Sequence, residues 1–211
     1  MKNPLPEIRI KDAWLLREAA SVPLNELWGD GGSLRTDEEY AAITEAYQKT
    51  WKPFEQKILR AITDILGLSF RQNTIDVYIA PWFNAFSDPM VIGVVRKPDV
   101  FVDTLTHELI HRLLTDNTAV PHELFLLPVW EELFGKSHAF NTLVHIPVHA
   151  VHKAIYLDVL NKPKHLERDV TSCKDYKATD YVAAWDYVEK HGYLEIIEKL
   201  KASYKKLQAE Q

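Results

Sequence analysis

The 211-residue chain has a single cysteine, Cys173. One thiol closes no intrachain disulfide, and Cys-rich zinc modules are excluded with it. Glycine is scarce, 7 residues in all, and none of them forms a glycine-rich phosphate loop. A serine nucleophile elbow is also missing. No stretch approaches about 18 uninterrupted apolar residues, so no membrane span is expected. Met1 to Asp12 lacks the apolar core of a signal peptide, and the cytoplasm is the expected location. Basic charge is not in excess either. Lys and Arg number 25 against 30 Asp and Glu, a formal charge of -5, which gives no electrostatic reason to expect nucleic acid as a partner.

What the chain contains is ordinary in bulk. Apolar residues make up 46% and charged residues 26%, as in soluble globular proteins. The length suits one domain over residues 1–211, with a sizeable core. Trp28 to Ser33, W-G-D-G-G-S, is a breaker. Thr36 then opens a helix as N-cap, with Glu39 as its capping-box partner. Pro53 is expected to kink or split that helix, and Gly67 to stop it. Ile75 to Ala80 begins with the alternation of a half-buried strand, and Met90 to Val95 is short and β-branched, a second strand. The two are expected to pair antiparallel across Pro81 to Pro89, within which Ser87-Asp88-Pro89 reads as a turn. Pro98 and Asp99 open the next helix, with Asp99 a candidate N-cap. Further helices are expected over Asn141 to Leu160, from Tyr176 to a break at His191-Gly192, and from Leu194 to Leu207. Tyr181, Ala184, Trp185 and Val188 share one face of the second of these. The fold class is α+β: a mostly helical domain with a small β-sheet ahead of the helix that follows Pro98.

That helix carries D-T-L-T-H-E-L-I-H-R-L-L, Asp103 to Leu114. His107 and His111 fall about 40° apart around the axis and one turn apart along it, so both imidazoles reach one metal ion. Glu108 lies about 100° from His107 and about 60° from His111. It flanks the ligands without competing with them, and reaches a water molecule bound to the ion. Zinc lowers the pKa of such a water, and a carboxylate takes its proton during attack on a carbonyl. Val102, Leu105, Leu109 and Leu113 cover the opposite side and anchor the helix in the core. Asp103, one turn before His107, is expected to face solvent. The bland alternative is a core helix with two hydrogen-bonded histidines.

T-H-E-L-I-H-R-L-L after a short β-branched strand resembles the active-site helix of the zincin superfamily of metallopeptidases, over about Ile75 to Leu114. The resemblance implies one zinc ion held by His107 and His111, Glu108 as general base, and a strand near Val91 to Val95 that holds the substrate backbone. The metzincin pattern requires Gly and His three and six residues after the second histidine; Leu114 and Asn117 stand there, which excludes that branch. A thermolysin-like enzyme supplies a glutamate about twenty residues further on. Glu131 has that offset, in W-E-E-L-F, without the residues that flank it in that family.

Catalytic zinc normally takes three protein ligands and water. Asn141 to Tyr156, N-T-L-V-H-I-P-V-H-A-V-H-K-A-I-Y, is the obvious source of the third. His145, His149, His152 and Tyr156 fall within about 60° on a helical wheel, on a helix otherwise rich in valine and isoleucine. Buried polar groups need partners, and a metal is one; hydrogen bonding to backbone is the alternative for any one of these rings. Pro147 is comfortable only in a first turn, which would start the helix near Val144 and leave His145 at a mobile end. The third ligand is therefore expected to be His149, then His145, then Glu131. His152 and Tyr156 are candidates for supporting a ligand or for stabilising the oxyanion, Tyr156 as a catalytic residue. His122, His138, His165 and His191 read as surface residues. The expected protein is a zinc metallopeptidase with a peptide or protein substrate and neither nucleic acid nor membrane as partner. Its rival is a non-catalytic, zinc-stabilised domain of the same shape that binds a partner.

Overall fold

Glu7-Ile8-Arg9-Ile10-Lys11 alternates, and in the computed structural model of the chain it forms a strand, β1 (Glu7–Asp12), whose Ile8 and Ile10 are buried. The structure describes residues 4–18, 35–81, 85–94, 96–119 and 122–209; the breaker at Trp28 to Ser33 and the end of the second expected strand, Val95, lie outside these. The chain divides into two compact units, one of Pro6–Gln56 with Gln72–Glu108, the other of Met1–Leu5, Lys57–Arg71 and Leu109–Gln211. The architecture is α+β and mostly helical, with one four-stranded mixed sheet.

The first unit holds the sheet. After β1 comes α1 (Asp37–Trp51). Its capping box is in place: the Thr36 hydroxyl accepts from the Glu39 amide at 3.3 Å, and the Glu39 carboxylate accepts from the Thr36 amide at 2.7 Å. Tyr40, Thr44, Tyr47 and Trp51 recur at helical spacing and are the buried face. Gln48 ties this helix to β1, its Nε2 donating to the Ile10 carbonyl at 2.9 Å. The helix ends before Pro53, which splits it from α2 (Glu55–Leu66). Gly67, at φ 69, then stops α2 in a left-handed conformation that costs glycine little.

β2 (Thr74–Ala80), β3 (Phe86–Ser87) and β4 (Met90–Gly93) complete the sheet, in the order β1-β2-β4-β3. β1 runs parallel to β2, with Ile8 opposite Ile75 and Ile10 opposite Val77. The expected antiparallel pairing of β2 with β4 is not what forms: they are parallel, Tyr78 opposite Val91 and Ile79 opposite Ile92. The reason lies in the connection, which reverses the chain twice. β3 runs back antiparallel to β4, with Phe86 opposite Val91, and the turn at Asp88-Pro89 reverses it again. Val91 is therefore flanked by β2 on one side and β3 on the other, while Ile92 and Gly93 pair with β2 alone, and all of β4 is buried.

α3 (Pro98–Asp116) follows. Pro98 takes the first helical position, where its missing N–H costs nothing, and the Lys97 carbonyl accepts the first helical bond from the Phe101 amide at 2.8 Å. Asp99 therefore sits inside the first turn, near the positive end of the helix, and is not the N-cap. At 19 residues the helix is about 28 Å long. It is buried nearly all round, not on one face alone, and this places Asp103 at 5% exposure where an exposed side chain is expected from sequence.

The second unit is helical: α4 (Leu127–Phe134), α5 (Phe140–Ala154), α6 (Pro163–Asp175), α7 (Thr179–His191) and α8 (Tyr193–Ala209). α5 packs against α4, α7 and α8, and every residue from Thr142 to His152 is buried. A π-helical turn, Ile155–Val159, continues α5. α6 has no counterpart among the sequence expectations. The Tyr204 hydroxyl of α8 donates to the Leu114 carbonyl at 2.8 Å. No helix of the described residues is long and apolar enough to cross a membrane.

Candidate metal centre

α3 offers His107 and His111 one turn apart, His107 half-buried and His111 buried. α5 contributes His145. One ligand atom from each of the three lies within 4.8 Å of the others. Nitrogen ligands at about 2.0–2.1 Å in a tetrahedral arrangement stand about 3.4 Å apart, so small side-chain rotations close the group around an ion. The His111 and His145 rings meet nearly edge to face, centroids 5.0 Å apart at 78°.

The His145 tautomer is set by its surroundings. Its Nδ1 donates to the Asn141 carbonyl at 2.6 Å. A carbonyl only accepts, so the proton is on Nδ1 and the lone pair on Nε2. That is the form in which imidazole binds a cation, and an outer hydrogen bond of this kind orients the ring.

α5 brings this histidine forward because the helix starts at Phe140, with Ala139 as N-cap, and not near Val144. Pro147 is an interior residue. The helix tolerates it because packing on all sides holds the backbone where a hydrogen bond is lost. His145 is thus in regular helix, not at a mobile end.

His149, one turn on, is not a member of the donor group, and neither is Glu131, half-buried on α4. The His149 ring is fully buried, 5.6 Å from His145 and stacked on Trp185 at 4.1 Å and 10°. Burial first, and then the neighbouring His145, His152 and His111, hold its pKa well below the usual imidazole value. His152 lies 4.8 Å from Tyr156, edge to face, and Tyr156 stacks on His165 at 5.6 Å. Tyr156 is 1% exposed, in the π-helical turn. His165 is accordingly half-buried. Glu108 is buried beside His107 on α3, at 7% exposure.

Two residues with no assigned role in the sequence reading touch this centre: Asn141 through its carbonyl, and Tyr181 of α7, whose ring centroid is 3.9 Å from that of His145. Tyr181 and Trp185 are four apart on one helix, as His145 and His149 are on the other, and that matched spacing is the signal they carry. Three imidazoles, one with its tautomer fixed, suit a borderline ion such as zinc and not calcium or magnesium, which take oxygen ligands. Comparison with protein-family models, with curated proteins and with solved structures finds no match for the chain.

Proposed function

We propose that the protein is a zinc-dependent hydrolase of amide bonds, a peptidase of the cytoplasm, with one zinc ion held by His107, His111 and His145. Its substrate is a peptide or protein; nucleic acid and membrane are not partners. The supporting observation is the convergence of three imidazole donors from two helices within 4.8 Å, next to a buried glutamate. When bound, zinc supplies Lewis acidity to a substrate carbonyl and to water. Glu108 takes the proton of the attacking water and passes it to the leaving amine. His145 keeps its Nε2 lone pair available because Nδ1–H is engaged by Asn141. The burial of α3 on nearly every side holds His107, Glu108 and His111 at fixed angles, which a reacting site requires.

Zinc analysis and peptide cleavage by the parent and Glu108→Gln test this. The parent is expected to contain one zinc per chain and to cut amide bonds in a mixed peptide library. Glu108→Gln is expected to keep the zinc and lose roughly 10²- to 10⁴-fold in rate, the usual range for a general base. A zinc-loaded parent that cuts no peptide favours a non-catalytic binding domain. A parent without stoichiometric zinc overturns the metal centre itself.

A further inference from the structure

α5 and α7 face each other with matched rungs. His145 and His149 are four apart on α5, Tyr181 and Trp185 four apart on α7. Tyr181 lies on His145 with centroids 3.9 Å apart at 39°, and Trp185 on His149 at 4.1 Å and 10°. The Thr142 hydroxyl donates to the Asp180 carbonyl at 3.2 Å. That bond joins the residue after Asn141 to the residue before Tyr181, so both groups that touch the His145 ring are anchored beside each other.

The Asn141 hydrogen bond decides which nitrogen carries the proton, but not the plane of the ring. Rotation about χ2 is broad for an imidazole, and a ring pivoting on Nδ1 would carry Nε2 away from His107 and His111. A flat aromatic face in contact removes that freedom. Tyr181 is that face, and it belongs to a helix that supplies no member of the donor group.

We propose that Tyr181 is the positioning residue of the metal centre, its ring acting as a wall that keeps Nε2 of His145 aimed at the ion held by His107 and His111. This rests on the zinc centre proposed above, and deepens it by assigning the specificity of ligand geometry to α7. The contribution assigned to it is that of the ring face in contact with His145.

Metal titration of three proteins separates these points. Parent, Tyr181→Phe and Tyr181→Leu are freed of metal and titrated with Co²⁺, read by its visible ligand-field bands, and with Zn²⁺ in competition with a chelator. Tyr181→Phe is expected to match the parent in affinity and spectrum. Tyr181→Leu is expected to bind about 10- to 100-fold more weakly, the range for residues that orient ligands, with cobalt bands of altered intensity. Its metal-free melting temperature is expected to stay within a few degrees of the parent's, since Tyr181 is half-buried. Parent-like binding by Tyr181→Leu overturns the proposal. Equal losses in Tyr181→Phe and Tyr181→Leu also overturn it, because the hydroxyl would then be the active part. Should Tyr181→Leu not fold, Tyr181→Met has bulk without a planar face and makes the same comparison. A parent that binds neither metal removes the zinc centre, a failure distinct from that of the tyrosine wall.

Discussion

His145 and His149 are one helical turn apart and have opposite surroundings. The first meets His111, an accepting carbonyl and a half-buried tyrosine; the second is sealed against Trp185. His145→Ala is therefore expected to weaken zinc binding by 10²-fold or more, since two ligands hold the ion poorly. His149→Ala is expected to retain zinc while losing about 1–3 kcal/mol of stability through the cavity left against the indole. Chelator competition and urea unfolding on the two variants measure both quantities, and the reverse ranking would exchange their roles. The pairing of His107 with His111 was legible in the sequence because four-residue spacing on a helix is a local property. The order of His145 and His149 was not, because it turns on where α5 begins. Pro147 argues for a late start, and only the packing of α4, α7 and α8 around α5 shows why the helix continues through it.

At the scale of elements, the devices that could be read were again local: the Thr36–Glu39 capping box, the split at Pro53 and the stop at Gly67. Strand direction could not be read. The link between β2 and β4 looks like one turn, yet holds two residues of strand and a second reversal, and pairing between distant segments leaves no local mark. β1 has a clear alternation that gains meaning only beside β2. The sheet unit also carries a titratable contact. The Tyr47 hydroxyl donates to the Arg96 carbonyl at 2.5 Å and to the Gly93 carbonyl at 3.4 Å, and its ring stacks on Phe101 at 4.0 Å. Burial pushes the phenol up to about 12 from its ordinary 10.0, against the opposing pull of Arg35 and Arg96. The native pKa is the higher one, so this contribution is intact below pH 10 and is lost as pH rises from about 10 to about 12. It amounts to about 2–3 kcal/mol at two pH units. Tyr47→Phe is expected to cost about 1 kcal/mol near neutrality, and to flatten the alkaline loss. Urea midpoints across that range read this directly; an unchanged alkaline slope would show that Tyr47 ionises as freely folded as unfolded.

For the whole molecule, the bulk character was legible: mostly helical, α+β, with the sheet strands ahead of α3. The division into two compact units was not, since it depends on contacts between segments far apart in the chain. A ligand that binds only the native state raises its stability by about 2.7 kcal/mol at a hundred times its dissociation constant. Zinc at that excess is expected to raise the melting temperature by roughly 5–10 °C for a chain of this size, and a chelator to reverse it. A chelator without effect on melting would mean that no ion is coupled to folding. The most direct measurement is anomalous diffraction at the zinc edge from zinc-loaded crystals. One peak is expected per chain, about 2.0–2.1 Å from Nε2 of His145 and from one ring nitrogen each of His107 and His111, with a fourth position open beside Glu108. A peak bound elsewhere, or a protein donor filling that fourth position, would contradict the account.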